Sequence, residues 1–300
     1  MKKETEGMIF IFITVFLWST IEVVSKILNK DLPAMTIAFL RFTAGGLFLL
    51  PLTIHTIWKI GLKGVKTRDW MILVLLSLLG VTITFSLYHK ALEWITATSV
   101  ATLVSMVPIF IAPVAMILLK EKIGSVQVIG LIFGVIGIFM IYFTEETNRF
   151  SVMGILLMVL VGISFSVYSV LMKKLNSKMD PKISTPLSLL IGGIMIAPFT
   201  LMDGEPLFRP LGTSGYFLMG YLAFAAVGLS YLFYFMGLQR TKVVKGNSLM
   251  YLKPILAGSL AWLILGDKLT LVRLASVVLI SLSIYFVIKG NGGKRSGNEE

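Results

Sequence analysis

The sequence predicts an all-α integral membrane protein: ten transmembrane helices arranged as two inverted five-helix repeats. Three observations lead there. Of 300 residues, 56% are hydrophobic and 14% charged, with a mean hydropathy of +0.90, a balance outside that of soluble domains. Apolar runs near the ~20 residues that cross a ~30 Å hydrocarbon core recur about every 28 residues, leaving no room for a soluble domain. Landmarks also repeat. Tyr88, Leu92, Leu103, Pro108, Glu121, Lys122 and Ile123 are answered 146 positions on by Tyr234, Leu238, Leu249, Pro254, Asp267, Lys268 and Leu269. Trp18-Ser19, Val23, Lys26, Gly45-Gly46 and Pro51 are answered 147 on by Phe165-Ser166, Val170, Lys173, Gly192-Gly193 and Pro198. One period of half the chain means a duplicated unit. Five spans per unit, an odd number, turn the second copy upside down, the architecture of alternating access.

Helix 1 is expected over Met8 to Leu28. Its run contains Glu22 and no small-residue cleavage site, so it reads as a retained span rather than a signal peptide. Helix 2 covers Pro33 to Ile54 and carries Arg41 and Gly45-Gly46; the connection before Trp70 absorbs the one-residue change of register. Helix 3 covers Trp70 to Leu92, and helix 4 Thr96 to Leu119 with Pro108 and Pro113. Helix 5, Val126 to Phe143, has Gly130, Gly134 and Gly137 at spacings that bring helices close. These form the first repeat, 8–143. The second, 152–288, holds helix 6 (Val152 to Leu171), helix 7 (Ile183 to Met202), helix 8 (Tyr216 to Leu238), helix 9 (Gly246 to Leu265) and helix 10 (Leu269 to Ile288). The glycine-rich, charged tail 289–300 is expected to be a disordered cytoplasmic segment.

Charge sets the orientation. With the amino terminus inside, 18 Lys and Arg fall on inner segments and 7 on outer ones, which predicts both termini cytoplasmic and accounts for the net charge of +12 without nucleic acid. The inner segment Thr56 to Asp69 sets Ile57, Trp58, Ile60, Leu62 and Val65 among Lys59, Lys63, Lys66 and Arg68; an interfacial element on anionic lipid and a plain basic loop both fit. There is no cysteine, so no disulfide or thiolate metal site is expected.

Charges inside spans are costly unless paired or hydrated, which singles out Glu22, Arg41 and Lys253. At ~1.5 Å per residue, Glu22 lies ~9 Å and Arg41 ~12 Å from the outer ends of helices 1 and 2. Their repeat counterparts, Ser169 and Ser188, lack both charges together, as a compensating Glu22–Arg41 pair requires; Glu22 binding substrate or a proton is the other reading. Lys253 lies ~12 Å inside helix 9, beside Pro254, and its counterpart is the apolar Val107. A cavity or a substrate anion, a structural pair, or snorkelling to the interface would each stabilise it. Pro108 and Pro254 interrupt paired helices and read as hinges or site-lining breaks, with ordinary kink packing as the rival. Polar and aromatic residues share helical faces: Trp18, Glu22 and Lys26; Thr98, Thr102 and Ser105; Tyr231 and Tyr234; Asn247, Tyr251 and Pro254. Tyr88 and Tyr168 extend the set from helices 3 and 6.

Trp18-Ser19…Lys26, Arg41-Phe42, Ala91-Leu92…Pro108…Lys120-Glu121 and Leu238…Pro254…Leu265-Gly266-Asp267 together resemble the EamA-type family of the drug/metabolite transporter superfamily over nearly the whole chain. Ser19 for the usual Gly and Asp267 for the usual Glu are mild departures. The resemblance implies ten helices around a cavity lined by helices 1, 3, 4, 6, 8 and 9, and export of small organic solutes. The expected protein is therefore a bacterial inner-membrane exporter of small metabolites, amino acids or related solutes, working by alternating access. Its substrate-binding candidates are Trp18, Glu22, Tyr88, Ser105, Tyr168, Tyr234, Asn247, Tyr251 and Lys253. A membrane enzyme or a receptor-type protein is the alternative, but two histidines, His55 and His89, and no catalytic or phosphate-binding motif speak against catalysis. No cofactor or metal is expected. The expected partners are a solute and the lipid bilayer; a coupling proton, and the choice between monomer and homodimer, stay open.

Overall fold

The computed structural model describes residues 2–143, 151–256, 259 and 271–290, without the side chains of residues 22, 26, 97, 98, 101, 271, 273 and 274. Among the described residues, eight helices are long and apolar enough to cross a membrane, and a shorter apolar helix covers Ala275–Lys289. Large apolar side chains such as Phe12, Phe16, Phe48, Ile117, Leu156 and Phe217 face outward, while Thr14, Ser19, Ser77, Ser166, Ser188 and Ser230 are buried. Lipid tails reward that arrangement, because apolar atoms cost nothing on the outside and small hydroxyls find partners between helices. The chain is a multi-pass helical membrane protein.

Several helices run past their apolar cores. Helix 1 begins at Lys2, since Glu4 pairs with Lys245 at 2.7 Å and Glu6 lies 3.8 Å from Arg240, anchoring its charged first turns. Thr20 separates Lys2–Ser19 from Ile21–Leu28 and donates its hydroxyl to the Leu17 carbonyl at 2.7 Å. Helix 2, Ala34–Ile60, runs six residues past its expected end. Its extension carries Trp58, 85% exposed, and the segment after it is a loop turned by Gly61 and Gly64 at positive φ. The basic segment is thus a helix end followed by a loop.

Helices 3 and 8 break their winding at matching places. Helix 3 consists of Thr67–Ser77, a π turn at Leu78–Ile83, and Thr84–Ala91. Helix 8 consists of Thr213–Tyr221, a π stretch at Leu222–Leu229, and Ser230–Arg240. Shifted by the repeat register, the first π turn falls inside the second. A π turn leaves carbonyls without their usual donors, and in lipid these must be satisfied locally. Thr84 and Ser164 donate to the Leu79 carbonyl at 2.8 and 3.0 Å, and Ser230 donates to those of Ala226 and Val227 at 2.6 and 3.1 Å.

Helix 4 is split into Ala97–Val104 and Val107–Leu119, so Pro108 sits in the first turn of its second segment, where its missing N–H leaves no bond unmade. The backbone break falls before the proline, at Ser105–Met106. Helix 9 begins at Val243 and changes to a 3-10 stretch at Ser248–Leu252, again just ahead of its proline, Pro254. Its expected continuation to Leu265, the start of helix 10 at Leu269 and the tail after residue 290 lie outside the described residues. The other helices are Ser125–Phe143, Val152–Leu175, Pro181–Met202 and Leu271–Lys289.

The halves meet through reciprocal contacts. A Cβ added to Gly46 would lie 2.6 Å from the Leu190 nitrogen, and one on Gly193 would lie 2.5 Å from the Thr43 nitrogen. Gly193 is Gly46 shifted by 147, and Leu190 is Thr43 shifted by 147, so this helix 2–helix 7 contact repeats itself with the halves exchanged. Gly45 against Ala223 and Val227 is matched by Gly192 against Ser77 and Val81. Helices 5 and 10 do the same: Gly130 meets the Ser283 carbonyl and Gly137 the Ser276 carbonyl.

Candidate functional site

Two helix contacts, helix 1 on helix 8 and helix 3 on helix 6, frame a cavity in the half of the bundle away from the amino terminus. Trp18, Ile21, Thr84, Phe85 and Tyr88 line it from helices 1 and 3, and Val104, Val107, Val161 and Phe165 from helices 4 and 6. Val227, Tyr231, Met250 and Lys253 contribute from helices 8 and 9, and Arg41 and Phe42 from helix 2. Its volume of about 60 Å³ holds a few water molecules.

The wall is largely aromatic. Trp18 tilts against Tyr231 at 5.1 Å between centroids and meets Phe165 edge-on at 5.9 Å, while Phe42 and Phe85 lie 4.4 Å apart. Trp18 is fixed by its ring N–H, which donates to the Ser230 hydroxyl at 2.9 Å on the segment restarting helix 8 after its π stretch. The Arg41 guanidinium stands 5.2 Å from the Phe42 ring centre and 5.4 Å from that of Phe85. Such contacts with ring faces contribute about 0.5–2 kcal/mol each, more as water is excluded. Arg41 is 4% and Lys253 8% exposed, so two basic side chains in the cavity wall are buried. Lys253 follows directly on the 3-10 stretch of helix 9, and its carbonyl accepts the Ser19 hydroxyl at 3.4 Å.

Trp18, Tyr88 and Lys253 line this cavity. Five other sequence candidates are buried outside its lining. Tyr234 donates to Asn247 Oδ1 at 2.8 Å, and Asn247 Nδ2 donates to the Val243 carbonyl at 2.9 Å. Tyr168 and Ser77 both bond to Ser188, at 3.0 and 3.1 Å. Tyr251 donates to the Leu131 carbonyl at 3.1 Å. Ser105 is fully buried at the break in helix 4. The Glu22 side chain, and with it the Glu22–Arg41 pair, lies outside the described residues. The layers of Tyr234, Asn247, Tyr168 and Ser188 close the bundle between the cavity and its amino-terminal end.

Sequence reasoning passed over Phe42, Phe85 and Phe165 as lining residues and treated Arg41 only as half of a pair. The signals were present: Phe165 is the repeat counterpart of Trp18, and Phe85 stands one turn before Tyr88.

These features define the class: a polytopic, all-helical membrane protein with an internal cavity built from both of its halves. The chain matches the EamA-like transporter family over residues 5–143 and again over 152–289, and it belongs to that family. It is 25% identical to an uncharacterized transporter of Clostridium kluyveri over all of this chain and 95% of that one. It is 26% identical to the uncharacterized transporter YvbV of Bacillus subtilis, over 95% of this chain and 92% of the other. A WAT1-related chloroplastic protein of Arabidopsis thaliana is 24% identical over 91% of this chain and 67% of its own. A solved structure described as the crystal structure of a protein shares the fold, with a TM-score of 0.79 and 21% identity over 94% of this chain and 96% of that one.

Proposed function

We propose that the protein is a bacterial inner-membrane exporter of small organic metabolites, amino acids or related solutes, working by alternating access. The observation that carries this is the chamber between the halves, with two cations and an aromatic wall, closed by hydrogen-bonded layers on its amino-terminal side. The reciprocal glycine contacts support two five-helix repeats, 8–143 and 152–288, inverted to one another and giving ten spans. In such a pair, exchange of the two halves' conformations moves the opening from one membrane face to the other. Membership of a transporter family supports solute movement; export, rather than uptake, rests on the family resemblance.

The test is counterflow in reconstituted vesicles, loaded with one amino acid at a time and challenged with the labelled solute, with and without a pH gradient. Saturable exchange that needs the protein is the expected result, and its response to the gradient decides whether a proton is coupled. No exchange for amino acids or their amine and acid derivatives would reject the reading.

Orientation is checked separately. Cysteines introduced at Thr147 and Gly204 should react with an impermeant thiol reagent in intact cells, against no background, because the chain has no cysteine of its own. Labelling only after the cells are opened would put both termini on the outer side.

A further inference from the structure

Beyond the closing layers, at the amino-terminal end of the bundle, one carboxylate bridges the two halves. Helix 4 stops at Lys120, whose backbone is left-handed with φ of 55°. The turn carries Glu121 across to the start of helix 9. There its Oε1 accepts the Val243 N–H at 2.8 Å and its Oε2 the Val244 N–H at 3.4 Å. First-turn amides have no acceptor within their own helix, so a carboxylate satisfies them and meets the positive end of the helix dipole. Lys173, at the end of helix 6, places its Nζ 3.6 Å from the same carboxylate and donates to the Thr241 carbonyl at 2.6 Å. Gln239 in turn donates to the Lys173 carbonyl at 2.8 Å. The Glu121 side chain is 11% exposed and that of Lys173 20%, so solvent screens the pair poorly. The repeat register keeps these residue types, with Asp267 answering Glu121 and Lys26 answering Lys173.

We infer that Glu121 is a positioning residue for transport: by holding the start of helix 9 it sets Lys253 in the cavity and keeps the amino-terminal end shut. The connection is short. Val243 accepts from Asn247, Asn247 is tied to Tyr234, and the 3-10 stretch Ser248–Leu252 leads directly to Lys253. About ten residues of helix, roughly 15 Å, separate the carboxylate from the cavity, and no flexible segment intervenes. Opening at this end requires helix 9 to leave helices 4 and 6, and that movement breaks every bond to Glu121 at once. The inference rests on the alternating-access reading for its role in transport, while the contact itself is testable without any solute.

The test uses the full chain in lipid nanodiscs, where both ends are accessible. A reporter cysteine replaces Val244, which is buried beneath the carboxylate, and a charged thiol reagent measures its labelling rate. A second buried reporter, Leu189→Cys on helix 7, registers general loosening. Glu121→Gln should raise labelling at Val244→Cys by at least about tenfold and leave Leu189→Cys unreactive, since charge-assisted bonds are the ones lost. Glu121→Asp, which keeps a carboxylate, should restore most of the protection, and Lys173→Met should produce a smaller rise than Glu121→Gln. In vesicles, Glu121→Gln should change the KM for release at one face far more than at the other. An unchanged labelling rate in folded Glu121→Gln overturns the inference, as does an equal rise at both reporters. If Glu121→Gln does not fold, Lys173→Met decides, and no rise there counts against it. Absent solute flux with a tenfold labelling change would sink the transport reading alone; retained flux with unchanged labelling would sink this one alone.

Discussion

Gly46→Val is expected to lower the stability of the purified protein by about 2–3 kcal/mol, the range of severe overpacking. Gly193→Val should do the same. At Gly46 an added Cβ lies 2.6 to 2.8 Å from the nitrogen, Cβ and Cα of Leu190, and at Gly193 it lies 2.5 Å from the Thr43 nitrogen and 2.9 Å from the Phe42 carbonyl carbon. Most of these atoms belong to backbone, which no rotamer change can move aside, so helices 2 and 7 must separate. Separation strips the contact that small residues provide in lipid, where packing rather than water holds helices together. Because the two glycines guard one contact from opposite sides, the losses should not add: once the first valine has parted the helices, the second costs less. Gly220→Val is the control, since its Cβ meets nothing within 4 Å, and it should stay within about 0.5 kcal/mol of the parent. Thermal unfolding of the three single variants and the double in one detergent checks the series. A Gly46→Val protein as stable as Gly220→Val, or fully additive losses, would refute the close approach.

The glycines also show what the sequence could reveal. Their register was readable at once, and in the structure it returns as contacts exchanged between halves, because a repeat that packs on itself must use the same small residues twice. The long apolar spans were equally plain. Their ends were not: solvated turns carrying Lys2, Glu4 and Lys59 extend helices beyond the apolar stretch, and hydropathy does not record that backbone bonding continues there. The π segments of helices 3 and 8 left no mark either, since no proline falls in them and the compensating hydroxyls, Thr84, Ser164 and Ser230, look like ordinary helix residues. Within the site, Trp18, Tyr88 and Lys253 were reached from depth and shared helical faces. Tyr231 and Tyr234 show the limit of that method. Three residues on a helix turn about 300°, so the two rings diverge by about 60°. One faces the cavity, and the other reaches Asn247 in the layer that closes it. Phe42 and Phe85 carry no polar atom, and from sequence alone nothing separates an aromatic cavity wall from an aromatic core.

Lys253→Met is expected to reduce affinity for solutes bearing a carboxylate by about 10- to 100-fold, while leaving the protein folded. The ammonium stands in a chamber walled by rings, where a hydrogen bond to a charged group contributes about 1.5–3 kcal/mol, more than one between neutral partners. Methionine matches the length of the lysine stem and suits an apolar wall, so helix 9 keeps its packing beside Pro254 and only the charge is removed. The comparison that isolates the charge pairs each amino acid with its decarboxylated amine, measured by competition in the same vesicles. The amino acid should lose affinity in Lys253→Met and the amine should not. Lys253→Arg keeps the charge but replaces a compact ammonium with a wide planar fork, and in about 60 Å³ it should recover only part of the activity. Arg41 provides the contrast. Its guanidinium packs against the adjacent rings of Phe42 and Phe85, so Arg41→Gln should lower stability as well as affinity, whereas Lys253→Met should act mainly on affinity. Equal losses for amino acid and amine in Lys253→Met would make the lysine a structural group, and the carboxylate would then have to be sought at Arg41, Trp18 or Tyr88.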